Sequence, residues 1–299
     1  MAKNLFQRYI WLVETINSRE HITLEEIRRL WSQTSVSEGN PLPDRTFHNY
    51  REAIQTTFDI NIECRKSTNE YYIEYPEDLT DNLTKRYLLQ TFSVQQTLSE
   101  GRSLGRRVEL ENIPSSEKHL SDIIRAMRNG HVIKIVYDNF WQKTRSERLV
   151  EPYMLKLFKQ RWYMVANEIG SHIKVFALDR IIEFEISDEK FTLPVDFVPE
   201  EYFADCYGVV NRFDIAPEEI VLKVYGGQVN YFKELPLHSS QTEIEATADY
   251  SVFCYRMKLT YDLRRELQFK GDEVEVLAPE YFRNEIAEEL RKAYERYNK

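Results

Sequence analysis

The sequence predicts an α+β protein of several domains: a winged helix-turn-helix, a helical connector, a small β-barrel and a ferredoxin-like C-terminal domain. Three observations predict this fold class. Three helical apolar patterns precede two alternating segments, a series of bulky apolar strands occupies the centre, and the last third follows the order βαββαβ. With 299 residues the chain has room for two or three domains of ordinary size. We expect domain boundaries at residues 1–78, 79–115, 116–188 and 205–299.

Composition indicates a packed, reduced, cytoplasmic protein. Hydrophobic residues make up 42% and aromatic residues 13% of the chain, which excludes a disordered chain. The sequence before Arg8 holds no apolar run of a signal peptide, and no segment approaches the roughly 18 uninterrupted apolar residues of a membrane span. The cysteines, Cys64, Cys206 and Cys254, are odd in number and too scattered for a disulfide framework or a metal site.

The N-terminal segment is predicted to form three helices and a hairpin. An amphipathic pattern at the N-terminus gives the first helix. Thr23 and Glu26 form a capping box that opens the second helix, since the Thr hydroxyl accepts the free N–H of Glu26 and the Glu side chain reaches back. After a loop rich in Gly and Pro, Asp44 is the expected cap of the third helix. Alternating segments at 60–64 and 71–75 predict the hairpin.

Three helices followed by a hairpin describe a winged helix-turn-helix, whose third helix enters the major groove of DNA. Arg is suited to guanine and Asn to adenine, so side chains on the polar side of this helix are expected to meet base edges. Two basic residues at the tip of the hairpin would serve the phosphate backbone. The predicted DNA-binding residues are Arg45, Thr46, His48 and Asn49 on the helix, with Arg65 and Lys66 at the wing tip.

The remaining elements follow from apolar periodicity and from Gly and Pro positions. Residues 79–115 are predicted to be a connector with a helical pattern and a Gly-containing loop. A further helix is expected to end before Gly130, which introduces the barrel. The linker 188–205 is predicted to be extended because it carries two prolines. Pro279 starts a final helix, whose inward residues are predicted to be Phe282, Ile286, Leu290, Ala293 and Tyr297.

Two neighbouring segments predicted to be strands carry the most informative motif of the chain. Residues 161–164 have the sequence Arg-Trp-Tyr-Met, and after a short turn that begins at Glu168, residues 176–181 have the sequence Phe-Ala-Leu-Asp-Arg-Ile. This stretch resembles the signature of the WYL-domain family of bacterial transcription regulators. Met164 replaces the Leu of that signature and Ala177 replaces one of its Arg residues.

Other segments extend the resemblance to nearly the whole chain. Residues 45–47, Arg-Thr-Phe, resemble the Arg-Thr-Ile opening of recognition helices in regulators that carry WYL domains. Residues 237–241 and 274–279 resemble the WCX extension that often ends these regulators, with Leu237 in place of its Trp. The resemblance implies that the predicted barrel is of the SH3/Sm-like kind.

The resemblance also implies that the WYL barrel binds a negatively charged ligand, either a nucleotide or single-stranded nucleic acid. The charge distribution agrees, because residues 118–180 carry 12 Lys and Arg against 6 Asp and Glu in a chain of net charge −9. In the alternative interpretation, Arg180 only pairs with Asp179 and the tyrosines belong to the core. The predicted ligand-binding residues are Tyr137, Arg148, Tyr163, Lys174 and Arg180.

The expected function is transcription regulation. The protein would bind a double-stranded DNA operator as a homodimer and respond to the anionic effector, without contact to a membrane. The alternative is a nucleic-acid-binding accessory of a partner enzyme, with no operator of its own. The six histidines lack metal-ligand spacing, and the sequence has no Gly-x-Ser-x-Gly elbow or phosphate-cradling Gly-rich loop. We therefore expect no enzyme, no cofactor and no metal.

Overall fold

The computed structural model of the protein describes residues 2–77, 119–140 and 142–298. The chain divides into two compact units, Met1–Glu111 and Asn112–Lys299. Within the described ranges it is an α+β protein with eight α-helices and three antiparallel sheets, which confirms the predicted class at this level. The predicted connector, residues 79–115, lies outside these ranges. None of the helices in them has the length and apolarity that crossing a membrane requires.

The first unit contains three helices and a three-stranded sheet. The helices are α1 (Ala2–Arg19), α2 (Leu24–Ser32) and α3 (Asp44–Phe58), and the strands are β1 (Ile22–Thr23), β2 (Ile62–Arg65) and β3 (Glu70–Ile73). The strands lie in the antiparallel order β1-β3-β2, so the predicted hairpin gains a third strand. A two-residue strand has no alternating pattern, which is why the sequence did not predict β1.

The helix starts in this unit agree only partly with the predicted caps. The Thr23 hydroxyl accepts the N–H of Glu26 at 3.3 Å, as predicted. The Glu26 carboxylate, however, pairs with Arg29 at 3.2 Å, so the reciprocal half of the capping box is wrong. Asp44 is the first residue of α3 rather than its cap, because Pro43 holds the cap position. The Asp44 carboxylate instead pairs with Arg28 of α2 at 2.9 Å and ties the two helices together.

The second unit begins with one helix and a five-stranded sheet. These are α4 (Leu120–Asn129), β4 (His131–Asn139), β5 (Thr144–Phe158), β6 (Arg161–Glu168), β7 (Ile173–Ala177) and β8 (Ile181–Lys190). All pairings are antiparallel, in the order β7-β6-β5-β4-β8. The sequence placed residues 176–181 in one strand, but Leu178–Arg180 form a 3-10 turn between β7 and β8. It also placed Glu168 in a turn, but Glu168 is the last residue of β6.

Helix α4 ends at Gly130, as predicted. Gly130 has a φ of 63°, in the left-handed region that favours glycine. The N–H of Phe191 donates to the Gly130 carbonyl at 2.8 Å, and a Cβ at Gly130 would lie 2.8 Å from the Phe191 carbonyl oxygen. Both the backbone angle and the close approach of the backbone at Phe191 therefore require glycine at position 130.

A bulge in β5 reverses the alternation of its side chains between the two faces of the sheet. The register with β6 shifts between Pro152 and Met154, so Tyr153 is the extra residue. Before the bulge, Arg148 lies opposite the fully buried Ile135 and therefore faces the interior of the curved sheet. After the bulge, Leu155 lies opposite the buried Met164 and takes over the interior side. The outer side then carries Met154 and Lys156.

The C-terminal part follows the predicted order of elements. A short helix, α5 (Pro199–Tyr202), precedes β9 (Glu218–Tyr225), α6 (Gln228–Glu234), β10 (Thr242–Ala246), β11 (Tyr250–Met257), α7 (Tyr261–Phe269), β12 (Val274–Ala278) and α8 (Glu280–Tyr297). The strands form an antiparallel sheet in the order β10-β11-β9-β12.

Of the residues predicted to face inward on the final helix, only those in its first half are buried. Phe282 and Ile286 are buried, but Leu290 is 40% exposed, Tyr297 is 90% exposed and Ala293 also lies at the surface. An α-helix of 18 residues is about 27 Å long, and only its first turns reach the core under the sheet. The periodicity of the sequence continues past the point where the core ends.

The linker between the two sheets is not the extended spacer that its prolines predicted. Its aromatic residues Phe197, Tyr202 and Phe203 pack against the outer side of β5, β6 and β7. The Lys156 ammonium donates to the Gly208 carbonyl at 2.7 Å and lies 4.0 Å from the centre of the Phe203 ring. Burial of these rings fastens the linker to the five-stranded sheet.

Candidate nucleic-acid and anion sites

Helix α3 has one buried and one exposed face. Phe47 and Ile54 are fully buried and Tyr50 nearly so, which fixes the rotation of the helix about its axis. The predicted DNA-binding residues therefore face outward: Arg45, His48 and Asn49 are exposed and Thr46 is half-buried. Arg45 has no ion pair with any residue in the described ranges, so its guanidinium is available to a ligand.

Contacts with the sheet and with the preceding loop hold α3 in place. The Arg51 guanidinium donates to the Ile62 carbonyl at 2.9 Å through Nε and lies 5.2 Å from the Tyr71 ring centre. The loop before α3 is fixed by Trp31, whose indole N–H donates to the Asn40 carbonyl at 2.8 Å. A second bond from α2, from Arg28 Nε to the Leu42 carbonyl at 2.9 Å, also holds the part of this connection that precedes α3.

The tip of the β2–β3 hairpin presents the other two predicted residues to solvent. Arg65 and Lys66 are both exposed. The Arg65 guanidinium lies 5.9 Å from the Tyr72 ring centre, which orients it along the hairpin. Lys66 takes part in no ion pair within the part of the chain that the structure describes.

A second group of predicted residues meets on the interior side of the five-stranded sheet. Arg148 and Lys174 both bind the carboxylate of Glu168, one to each oxygen. The register explains the meeting: Glu168 lies opposite Val150 of β5, and Lys174 lies opposite Ala166 of β6, so all three side chains share one face. We call Arg148, Lys174 and Glu168 the basic cluster. Its net formal charge is positive.

The carboxylate at the centre of the basic cluster is well shielded, since the Glu168 side chain is 14% exposed. Burial acts to raise the pKa of Glu168, but the hydrogen bonds from Lys174 and Arg148 outweigh it and hold the pKa below its ordinary value. Glu168 is therefore ionised at neutral pH. It neutralises part of the charge that Arg148 and Lys174 bring to the site.

Three buried polar atoms near this end of the sheet have no hydrogen-bond partner among the described residues: Ser146 Oγ, Arg148 Nε and Arg180 Nε. Ser146 lies opposite Tyr137 in the register, one interior position from Arg148. Arg180 precedes Ile181, which pairs with Tyr137 from the other side. Buried donors left without a partner cost about 1–3 kcal/mol each, so the site is suited to a ligand that accepts hydrogen bonds.

The alternative pairing of Arg180 with Asp179 is wrong. The Asp179 carboxylate instead binds Arg161 in a two-pronged pair, with Nε to Oδ1 at 2.8 Å. The guanidinium of Arg180 lies over the Phe140 ring, 4.5 Å from its centre. Asp179 and Arg180 both belong to the 3-10 turn Leu178–Arg180, and their side chains have different partners. Arg180 is left without an ion pair in the described ranges.

The two predicted tyrosines lie on opposite faces of the sheet. Tyr137 is buried in the interior core, and its hydroxyl accepts the N–H of Ala177 at 3.2 Å. Tyr163 pairs in register with Lys156 and packs on the outer side with Val165, beneath the linker. Tyr163 therefore does not join the basic cluster, and its predicted role there is wrong. Successive side chains of a strand face opposite ways, so Tyr163 lies on the other face of β6 from Glu168, five residues later.

Sequence reasoning missed Glu168 and Ser146. Glu168 ends β6, and its position in the register, opposite Val150, was not predicted. An acidic residue within an otherwise basic block of residues 118–180 was the available signal. Within the described ranges there is no group of His, Cys, Asp and Glu that could hold a metal ion.

Family models match two segments of the chain. The model of the WYL domain matches residues 118–186, and that of the WCX domain matches residues 216–294. No curated protein matches the chain. These matches cover the C-terminal sheet and all of the five-stranded sheet except the end of β8, and they leave the first unit unassigned.

Two solved structures resemble the chain weakly. Proteasome accessory factor B/C (PafBC) of Arthrobacter aurescens is 17% identical with a TM-score of 0.38, over 96% of this chain and 46% of that one. A CRISPR Cas-related protein is 12% identical with a TM-score of 0.41, over 86% of this chain and 74% of that one. The chain thus spans less than half of the PafBC chain.

Proposed function

We propose that this chain, which carries a WYL domain at residues 118–186 and a WCX domain at residues 216–294, is a DNA-binding transcription regulator that senses an anionic ligand. The observation that carries the proposal is the pairing of this domain order with an N-terminal unit whose third helix exposes polar side chains. The regulator would use α3 to bind operator DNA and the basic cluster to bind the effector.

The first unit is proposed to be a winged helix-turn-helix. Its three helices and its β2–β3 hairpin support this assignment. In this arrangement Arg45 and Asn49 contact guanine and adenine edges, while Thr46 and His48 complete the base-reading face. Arg65 and Lys66 contact the phosphate backbone. One helix covers only a few base pairs, so we propose a homodimer whose two helices lie roughly 34 Å apart, in successive turns of the major groove.

The second unit is proposed to contain an SH3/Sm-like barrel and a ferredoxin-like domain. The strand order β7-β6-β5-β4-β8 supports the barrel, and the order β10-β11-β9-β12 with helices after β9 and β11 supports the ferredoxin-like assignment. In the barrel, Arg148, Lys174 and Arg180 would bind phosphate groups, with Ser146 as a further hydrogen-bonding group. Tyr137 fixes the backbone at Ala177 and so positions the turn that carries Arg180.

The ligand class is a nucleotide or a short single strand of nucleic acid. Such a ligand supplies phosphate oxygens for the unpartnered nitrogens of Arg148 and Arg180. Ligand binding would alter operator affinity by favouring one arrangement of the dimer over another. The change in DNA affinity is then limited by the difference in ligand affinity between the two arrangements.

A mobility-shift titration of duplex DNA taken from upstream of the gene tests the first part of the proposal. We expect retardation of one duplex at physiological salt, and light scattering that gives twice the chain mass. A preference for single strands, or binding only in the presence of a partner enzyme, would favour the accessory role instead. Equal retardation of unrelated duplexes would remove the operator from the proposal.

Titration of short single-stranded oligonucleotides and cyclic nucleotides tests the effector site. We expect the variant Arg148→Ala/Arg180→Ala to lose binding, while Arg125→Ala/Arg145→Ala, which removes two exposed arginines of the same domain, keeps it. Binding to the parent should weaken as salt rises, because phosphate contacts release counterions. Equal binding by both variants would remove the basic cluster from the mechanism.

A further inference from the structure

A cleft lies on the opposite side of the five-stranded sheet from the basic cluster. Its volume is about 510 Å³, within the range of small-molecule sites. Its lining combines Tyr153 and Asn167 of the sheet, residues of the linker, and Lys258, which follows β11. A ligand held there would touch both the WYL sheet and the WCX part of the same unit.

Aromatic rings form a continuous wall of this cleft. The ring centres of Tyr153 and Phe197 lie 5.0 Å apart, those of Phe197 and Tyr202 lie 5.4 Å apart, and those of Tyr202 and Phe213 lie 5.8 Å apart. Phe213 is 69% exposed, so the protein itself leaves most of this ring uncovered. The faces of aromatic rings carry partial negative charge and attract cations within about 6 Å.

Three carboxylates line the same cleft: Asp196, Glu201 and Asp205. None of them has an ion pair with a residue in the ranges 2–77, 119–140 and 142–298. The cation at the rim, Lys258, is already engaged, because its ammonium donates to Asn211 Oδ1 at 2.8 Å and to the Arg212 carbonyl at 3.2 Å. Three carboxylates against one ammonium group give the lining a net formal charge of −2.

Lys258 also shows that the aromatic rings of the cleft can contact a positively charged group. Its ammonium lies 5.8 Å from the centre of the Phe213 ring, so one cation of the protein already rests against the rim of the cleft. Below the linker, Lys156 lies in the same way against Phe203. Positive nitrogen on an aromatic ring is thus the recurring contact of this region.

We propose that the cleft lined by Tyr153, Phe197, Tyr202, Phe213, Asp196 and Glu201 binds a small organic cation of the polyamine class. The alkyl chain of the ligand packs on the rings, and its ammonium groups bind Asp196, Glu201 and Asp205. This site is separate from the basic cluster, which lies on the interior side and suits anions. The ligand would also stabilise the joint between the WYL and WCX parts, since both contribute to the walls.

Isothermal titration of the full chain with spermidine tests this site. We expect one spermidine per chain, and an affinity at least roughly tenfold lower for Asp196→Asn/Glu201→Gln. The matched control is Asp188→Asn/Glu200→Gln, which removes the same charge from exposed positions outside the cleft and should leave the affinity unchanged. Because all four carboxylates are exposed, these variants are expected to fold.

The aromatic wall is tested separately. Phe213→Ala should weaken spermidine binding severalfold, since the ring contributes a cation–π contact. An uncharged diol of similar length, 1,8-octanediol, should not bind. Equal weakening by the two carboxylate variants would show attraction to the overall acidic surface and overturn the proposal. Undetectable spermidine binding, or equal binding of the diol, would overturn it as well.

Discussion

The exposed face of α3 and the basic cluster are both proposed to bind nucleic acid, yet they are built in different ways. On α3 the four side chains follow one another along a single helix, and Arg45 has no ion pair among the described residues. In the basic cluster the side chains come from three separate strands, and Glu168 neutralises part of the charge of Arg148 and Lys174.

This difference in construction predicts how each surface binds its ligand. A helix face with free side chains needs only rigid support from behind, which Phe47 and Ile54 supply. The basic cluster already holds a carboxylate, so an anionic ligand must compete with Glu168 for Arg148 and Lys174. Removing residues of the α3 face should therefore only lower DNA affinity. In the basic cluster, removing Arg148 or Lys174 should lower ligand affinity, whereas removing Glu168 should raise it.

The largest effect is expected from Arg45→Ala/Asn49→Ala. Each base contact is worth about 1–3 kcal/mol, so operator affinity should fall by about 2–6 kcal/mol. Base preference should relax, and affinity for random DNA should change much less. Competition mobility shifts with operator and random duplexes measure both quantities.

The matched control on the same helix is Thr57→Ala, an exposed position near the other end of α3. It should leave operator affinity unchanged. The double variant should melt at the parent temperature, because Arg45 and Asn49 are exposed. If Arg148→Ala/Arg180→Ala abolishes operator binding without effector as strongly as the α3 variant does, the two surfaces are not separate and the comparison fails.

The next effect concerns Glu168→Gln. Hydrogen bonds to charged groups are worth about 1.5–3 kcal/mol, so loss of this carboxylate should lower the free energy of unfolding by about 2–3 kcal/mol. The same change should raise affinity for a single-stranded oligonucleotide, because Arg148 and Lys174 are released. Urea unfolding and oligonucleotide titration measure the opposed effects, and a loss of oligonucleotide affinity would contradict the competition.

The pH dependence of stability gives a second measurement on Glu168. Since its pKa is lowered in the folded protein, its stabilisation is fully present above the ordinary Glu pKa of about 4.3 and is lost as pH falls through the lower folded value. In Glu168→Gln, the free energy of unfolding should therefore fall less as the pH is lowered through this range. The control Glu147→Gln breaks an exposed pair with Lys134 and should leave the free energy of unfolding and its acid dependence nearly unchanged.

The same contrast explains what the sequence could predict. Residues that act within one helix were placed by periodicity alone, because Phe47 and Ile54 fix which way Arg45 and Asn49 face. The Thr23 hydroxyl bond to Glu26 is equally local and was also predicted. The WYL and WCX domains were predicted from short motifs, and family models match both segments.

Contacts between elements far apart in the chain were not predictable in this way. The role of Glu168 and the outward face of Tyr163 both depend on the register of β6 against β5. A one-residue slip of register moves every later side chain to the other face. The exposed second half of α8 has a similar cause, since periodicity does not reveal where the core ends.

A smaller effect is expected from Thr23→Ala. The hydroxyl accepts the N–H of Glu26 at the start of α2, and such caps are worth about 1 kcal/mol. The free energy of unfolding should fall by this amount, whereas operator affinity at temperatures below melting should stay the same. Thr56→Ala, whose hydroxyl only bonds back to the Glu52 carbonyl, is the control and should cost less. Equal losses for the two variants would show that the cap contributes nothing of its own.

The smallest effect on affinity, and the sharpest test of the α3 surface, is expected from Lys66→Ala. Lys66 is exposed at the tip of the hairpin and is proposed to contact phosphate rather than bases. Its loss should weaken operator and random duplexes alike, and the slope of log affinity against log salt should become shallower by about 0.9. Ser67→Ala in the same turn changes no charge and should leave the slope as it is. A change in base preference, or an unchanged slope, would place Lys66 away from the DNA backbone and leave Arg65 as the proposed phosphate contact of the hairpin.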